Sequence, residues 1–448
     1  MTPAAAPLPA FAGSLSVLCV IFVFLVPFAG AGLALINAGL GRSRSAAHSM
    51  MSSLCVLAVA ALVYFTCGFS WQGFSGGPAH IFTLGGKDFN WIAAEPFFLR
   101  HLDFNGSPAP LAALLGMLSV GLAALIPLGS GADRWRLGAC CISTALLAGW
   151  TYPLFAHWVW GGGWLAQLGA NYGLGQGFVD TGGASTIQAV GGLTALSLAW
   201  ILGPRRGKYT HDGMPTAIPG HNSVLVLFGC ALTLVGWWGL NAAGAILFNA
   251  ATPGQTVLIA INTTLSAAAA ALMSAAITRT RFGKPDASLT ANGWIGGLAA
   301  SSGACAFIAP AAAAAIGLAA GVLVTFSVEW FELRMSVDDP SGAISAHAMG
   351  GLWGVLSVGL FAEIPARILD ATGETANRHP GQWLAQMVGI ATLIGFVLPM
   401  TYGLNWLLNR VYPQRVSVEA ERQGMDLYEL GAGAYPEFIT HGDEFTER

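Results

Sequence analysis

The stretch Asp180-Thr-Gly-Gly-Ala-Ser-Thr-Ile-Gln188-Ala-Val-Gly191-Gly192-Leu193 has a counterpart 159 residues further on, Asp339-Pro-Ser-Gly-Ala-Ile-Ser-Ala-His347-Ala-Met-Gly350-Gly351-Leu352. Asp180, Gly183, Ala184, Ala189, Gly191, Gly192 and Leu193 recur as Asp339, Gly342, Ala343, Ala348, Gly350, Gly351 and Leu352. Two glycine-rich helices alike only in composition would not keep the acid and the later polar residue in register. Small residues let helix backbones approach closely where no hydrophobic effect drives association. The Gly-Gly pairs therefore predict a close crossing of two helices, with Gln188 and His347 near one another inside a bundle.

Composition says what kind of bundle this is. Of 448 residues, 54% are hydrophobic and 9% are charged, against about 25% charged in an ordinary soluble domain. The polar material is too scarce to cover a soluble body. This excludes an ordinary cytoplasmic enzyme and a disordered chain. A net charge of −3 excludes a nucleic-acid binder, which needs basic surface for phosphates. The chain reads as an all-α polytopic membrane protein in a lipid bilayer. A span takes ~20 apolar residues. Eleven runs qualify, near 12–40, 48–70, 108–128, 136–160, 182–203, 221–249, 255–279, 287–304, 306–331, 343–364 and 382–410. The first is too long for a signal-peptide core and lacks a basic flank, so it reads as a retained helix. The seven cysteines lie in or beside apolar runs with no CxxC or Cys/His cluster and read as small buried hydrophobes.

The few cations orient the stack. Arg42, Arg44, Arg134, Arg136, Arg205, Arg206, Lys208, Arg279, Arg281, Lys284, Arg334, Arg410, Arg415, Arg422 and Arg448 fall on one side; Lys87, Arg100, Arg367 and Arg378 fall on the other. Fifteen against four predicts an N-terminus outside, eleven spans and a cytoplasmic C-terminus in the cell's inner (plasma) membrane. Residues 1–410 form the transmembrane domain. Residues 411–448 form a polar cytoplasmic tail, too short to fold alone. The fifth span then runs inward and the tenth outward. The repeat is therefore inverted, helices 1–5 against 6–10, with one extra helix. Inverted repeats hold their transport site near the midplane at the repeat interface.

Polar side chains at membrane depth are expensive and are functional candidates by default. Gln188 and His347 lead. A neutral imidazole can accept a proton, whereas a Gln amide hydrogen-bonds but does not titrate. The run His157-Trp158-Val159-Trp160-Gly161-Gly162-Gly163-Trp164 ends the fourth span. Its tryptophans suit an interfacial belt, and the glycines suggest a mouth where an indole face meets a cation, worth up to ~2 kcal/mol when partly desolvated. Asp180 reads as a helix cap with a long-range field on such a cation. Gly236-Trp-Trp-Gly-Leu240-Asn241-Ala-Ala-Gly244 puts Asn241 in the sixth span, where it needs a hydrogen-bond partner. Asp338 and Asp339 read as N-terminal caps of the tenth. No nucleophile–base pair, metal cluster or phosphate loop appears, so neither an enzyme nor a cofactor is expected.

These segments resemble the ammonium transporter family (Amt/Mep/Rh) over nearly the whole chain. The resemblance rests on Ala132-Asp-Arg-Trp-Arg136, His157-Trp-Val-Trp-Gly-Gly-Gly163, the Asp180 segment, Gly236–Ala242, Asp338-Asp339 with His347-Ala-Met-Gly-Gly, and the tail from Arg415 to Tyr435. It implies a homotrimer with one narrow apolar pore per subunit that takes up ammonium or conducts ammonia. It implies a PII-type signal protein as the partner of the tail. Residue by residue, Trp160 matches the tryptophan of the outer mouth, Asp180 the aspartate behind the ammonium site, and His347 the second of twin pore histidines. The first twin falls on Gln188, the inner gate phenylalanine on Leu240, the outer near Ser119, and the hydroxyl residue of the mouth on Gly244. These departures imply a pore without a side-chain proton relay, wider or wetter at the gate, and short of one ammonium partner. They also leave room for a second function, an ammonium sensor that binds but transports slowly or not at all.

Overall fold

The computed structural model describes residues 13–100, 102–104, 107–365 and 381–435. Arg367, Arg378, Arg448 and residues 436–448 of the tail lie outside the described residues. Among the described residues, ten helices are long and apolar enough to cross a membrane. They are α1 (Gly13–Leu40), α2 (Ser43–Gln72), α3 (Ala109–Ser130), α4 (Leu137–Val159), α5 (Ala184–Leu202), α6 (Ser223–Asn249), α7 (Gln255–Phe282), α9 (Pro310–Arg334), α10 (Ile344–Phe361) and α11 (Gln382–Val411). Between α7 and α9 lies α8 (Ala287–Ala304), less apolar because Thr290, Asn292, Ser301 and Ser302 interrupt it, and largely buried against α7 and α10.

The repeat is visible in the packing. First helices of each half, α1 and α6, lie along one another. A Cβ placed on Gly229 would meet Ile36 Cγ1 at 2.8 Å, so the glycines permit that contact. Fifth helices, α5 and α10, cross at Gly192 and Gly351. A Cβ on Gly192 would meet Ala348 Cα at 2.7 Å, and one on Gly351 would meet the Ala189 nitrogen at 2.9 Å and Gln188 Cβ at 3.0 Å. The other member of each pair faces outward. Gly191 packs on Ala123 and Ile126 of α3, and Gly350 on Gly296 of α8. Only one glycine of each predicted pair makes the crossing. Both helices open with a six-residue π-helical turn, Ala184–Ala189 and Ile344–Met349, a local widening often found at functional sites.

A hairpin that the apolar runs did not foretell covers the C-terminal end of α4. Strands β1 (Ala79–Leu84) and β2 (Lys87–Ala93) pair antiparallel. They turn on Gly85-Gly86, both at positive φ, which suits a two-residue hairpin loop. Asn90 ties it down. Its main chain bonds Gln167 and Trp164, and its side-chain oxygen meets His157 Nε2 at 2.8 Å.

At the opposite end, the basic residues form a buried ion network. Arg205 bonds Asp338 at 2.9 Å and Asp133 at 3.1 Å, and Arg134 stands 3.8 Å from Asp338. Burial would raise the Asp338 carboxyl, but Arg134 and Arg205 outweigh it and hold it down at about 2. Asp338 is thus an ion-pair hub and not the helix cap expected of it. Asp339 does cap α10, its Oδ2 accepting the Ile344 N–H at 2.7 Å. The tail crosses the same end. Asp426 accepts the Ala47 and His48 N–H groups at the start of α2. Glu429 takes the Leu137 N–H and the His48 ring at 2.8 Å. Burial opposes that carboxylate's charge, yet His48 and the Leu137 N–H lower its pKa.

Candidate functional site at the helix crossing and the outer mouth

Gln188 and His347 meet where α5 crosses α10. His347 Nδ1 lies 2.7 Å from Gln188 Oε1, and both residues are buried. An amide oxygen only accepts, so Nδ1 carries the proton and Nε2 is the lone-pair nitrogen of a neutral ring. Gln188 Nε2 is buried with no partner. The pair therefore offers an unpartnered amide NH2, with two N–H donors, and an imidazole nitrogen with a free lone pair. An unmade hydrogen bond in such a place costs about 1–3 kcal/mol, which favours a small polar solute able to fill it.

Asp180 is held in a different way. Its Oδ1 accepts the Gly183 and Ala184 N–H groups at 2.9 and 2.8 Å. Its Oδ2 accepts the Ser185 N–H and hydroxyl at 2.8 and 2.5 Å, with the Thr186 N–H at 3.1 Å and hydroxyl at 3.4 Å. Such a saturated carboxylate caps α5 and has no lone pair to spare for a ligand. What it contributes to its surroundings is a fixed negative charge.

The turn after Asp180 is pinned from two sides. Thr181 and Gly182 donate to the Gly303 and Ser302 carbonyls of α8. Asn241 lies against Gly182 and donates to Thr263 and Ser301 hydroxyls at 2.8 and 3.2 Å, so it finds partners on α7 and α8 and works as a clamp. Gly244 sits against the Thr181 carbonyl with no room for a Cβ. It brings α6 close to the turn, a packing role the sequence reading did not give it. Leu240, one turn before it, and Ser119 on α3 are both fully buried.

Trp160 departs from expectation. Its Nε1 donates to the Asp180 carbonyl at 2.8 Å, so the two residues are joined. Its ring is 4% exposed and stacks on Phe248, centroids 4.5 Å apart and planes within 9°. Phe248 in turn lies 6.4 Å from Phe74. The indole face is covered, where an open face was expected. Sequence reasoning missed Phe248, although Leu240, Gly244 and Phe248 recur every four residues and so share one helix face. Trp158 and Trp164 form no open mouth either: Trp158 is buried, bonds the Trp91 carbonyl at 2.8 Å, and stands edge-on to Trp164.

This architecture, a helical membrane bundle built on a repeat with a polar pair at its crossing, has known relatives. The chain belongs to the Ammonium Transporter Family, whose model matches residues 17–435. It is 34% identical over 434 residues to Ammonium transporter Amt2 of Archaeoglobus fulgidus, covering 93% of this chain and 87% of that one. It is 30% identical over 418 residues to the Ammonium transporter of Bacillus subtilis, covering 93% and 96%. Among solved structures, Sensor Amt Protein superposes with a TM-score of 0.82 at 25% identity, covering 93% of this chain and 98% of that chain. The relatives are named as transporters, and the chain is accordingly a multi-pass membrane protein of a transport family and not an enzyme.

Proposed function

We propose that this chain is an ammonium transporter that gathers ammonium at an outer aromatic site, deprotonates it there and passes ammonia between Gln188 and His347. The observation that carries this reading is the half-filled Gln188–His347 pair at the crossing of the two repeat helices. Ammonia has one lone pair and three N–H groups. It can accept one N–H of Gln188 Nε2 and donate to His347 Nε2, giving each a partner. Ammonium has no lone pair and would leave both Gln188 donors unmet, so the pair selects the neutral form.

Asp180 acts through its charge. The carboxylate is already saturated, so it favours a cation at the mouth without touching it, and Trp160 is fixed beside it through the Asp180 carbonyl. Asn241 and Gly244 shape the turn that carries this arrangement. Leu240 and Ser119 stand where the family resemblance puts gate phenylalanines, and Gln188 where it puts the first pore histidine. Because Gln188 does not titrate, no proton passes from side chain to side chain there; any proton crossing needs water.

In this reading α8 also spans, giving eleven transmembrane helices, an inverted five-plus-five repeat with α11 added, and a homotrimer. Residues 1–410 are the transporter domain in the inner (plasma) membrane, N-terminus outside. Residues 411–448 are the cytoplasmic tail and the place for a PII-type partner. The test is an ammonium pulse on proteoliposomes, followed by solid-supported-membrane current and by a lumenal pH dye. Ammonium-dependent current or ammonia-driven alkalinisation above protein-free vesicles is expected; silence in both overturns the reading.

One observation favours a second reading, an ammonium sensor: the likeness to Sensor Amt Protein, in a chain whose tail is bonded to α2 and α4 through Asp426 and Glu429. Saturable ammonium binding with a change in tail protection from protease, and no flux, would decide for it.

A further inference from the structure

We propose that Gln386 of α11 is a positioning residue for the outer site. With Gln382 it fixes the backbone that leads into Asp180, and so sets where the Asp180 carbonyl holds Trp160. This rests on the transporter reading above and gives α11 a part in substrate capture.

Residues 175–180 are buried and lie in no helix or strand. Irregular backbone at such a depth needs partners for its N–H and C=O groups. Two glutamines one turn apart on α11 supply them. Gln386 Oε1 accepts the Val179 N–H at 3.0 Å, and its Nε2 donates to the Val179 carbonyl at 2.9 Å and to the Val355 carbonyl of α10 at 3.1 Å. Gln382 Oε1 accepts the Gln176 N–H at 2.9 Å, and its Nε2 donates to the Gly177 carbonyl at 2.9 Å and to Gln386 Oε1 at 3.2 Å. Gln386 is fully buried and uses both donors and both acceptor sites of its amide. Gly389, on the same helix face, leaves no room for a Cβ against the Phe178 ring, so α11 presses directly on this segment. One residue beyond the clamp, the Asp180 carbonyl accepts the Trp160 indole N–H at 2.8 Å.

The second copy of the repeat is held by different chemistry. The offset of 159 carries Val179 onto Asp338. There the backbone carbonyl accepts from Arg134 Nη2 at 2.8 Å, and the side chain is bound by Arg205. The residue before each capping aspartate is thus gripped, by arginines in one copy and by neutral amides in the other. A guanidinium next to Asp180 would repel an arriving cation. Glutamine holds the same backbone without a charge.

The test uses the full chain, with ammonium pulses over a range of concentrations on proteoliposomes and thermal unfolding in detergent. Gln386→Met keeps the bulk and removes the bonds. Its half-saturating ammonium concentration is expected to rise about three- to tenfold, the loss of most of an ordinary cation contact at the indole, with the maximal current little changed. Gln382→Met should shift it less, in the same direction. Gln414→Met is the control for general loosening. Gln414 is fully buried just past the other end of α11, where it donates to the Asn405 carbonyl and accepts from Trp135 Nε1. That variant should unfold at a lower temperature, as Gln386→Met does, and keep the wild-type half-saturation. A conducting Gln386→Met with wild-type half-saturation, or a Gln414→Met shifted as far, overturns the positioning role and leaves the transporter reading intact. If Gln386→Met does not fold, an unmoved half-saturation in Gln382→Met overturns it. A wild type that conducts nothing overturns the transporter reading, and the positioning role with it.

Discussion

Asp180 and Asp339 open the two copies of one repeated segment, yet they live differently. Asp180 accepts from four backbone and two hydroxyl donors, using both oxygens. Asp339 accepts the Ile344 N–H on Oδ2 while its Oδ1 is buried with no partner. Burial lifts the Asp339 carboxyl to about 6 against the pull of the Ile344 and Ala343 N–H groups. One exchange within the repeat accounts for much of the difference: Ser185, whose hydroxyl donates to Asp180, becomes Ile344, so the second copy lacks that donor. Beside it stands Asp338, whose charge is answered by Arg205 and Arg134. One fold therefore presents a lone, internally satisfied acid at one end of the bundle and, at the other, Asp338 compensated by arginines beside a half-satisfied Asp339. In the transporter reading proposed above, this asymmetry would make the Asp180 end the side of capture.

Breaking the first copy should cost most. Asp180→Ala strands several buried donors at about 1–3 kcal/mol each, so a loss of at least ~4 kcal/mol is expected in thermal unfolding in detergent. Asp339→Ala should cost ~1 kcal/mol, an ordinary cap. Equal losses would erase the contrast. Asp339→Asn sharpens it further. A carboxyl raised from 3.8 to about 6 in the fold binds more protons folded than unfolded, so stability falls as pH rises through that window. The Asn variant should flatten that slope.

Next in size is Arg205→Ala, which leaves Asp338 a buried and poorly compensated charge, at a cost of about 3 kcal/mol. The pH dependence has the opposite sign to that of Asp339. Asp338 is held down at about 2, so its contribution is complete above the ordinary 3.8 and is lost as pH falls toward 2. Unfolding followed from pH 7 to pH 3 should show the wild type losing its margin over Arg205→Ala as it acidifies. A margin constant over that range would count against the ion network.

A functional and smaller effect is expected at the crossing. Gln188→His restores a titratable group beside His347. If the missing imidazole limits proton passage, ammonium-evoked current should rise severalfold while ammonia flux changes little. An unchanged current would mean that water already carries the proton or that another step sets the rate.

The bundle was legible because its signals are strong. Apolar runs and a repeat kept in register each need only residue type. The crossing was legible for the same reason, since two glycine pairs and two polar residues announce a close contact. What remained hidden depends on where a side chain points. Asp338 and Asp339 look alike in sequence, and only the reach of Arg205 from the α5–α6 connection separates hub from cap. Gly244 read as a missing hydroxyl because its role is the space it leaves. Phe248 lay one turn beyond the quoted motif, and its neighbour Trp160 comes from a different helix end. The β1–β2 hairpin is short, and its alternation is too brief to stand out between two apolar spans. The run near 287–304 was legible and α8 fills it, packed against α7 and α10, although it is less apolar than the ten helices long and apolar enough to span.

The most direct measurement is the lumenal pH of proteoliposomes after an ammonium pulse, wild type against Gln188→Leu, which removes the unused N–H donors and keeps the bulk. Ammonia passage between Gln188 and His347 predicts rapid alkalinisation in the wild type, well above protein-free vesicles, and a clear slowing in Gln188→Leu. Alkalinisation no faster than in empty vesicles, or equal in both proteins, would contradict it.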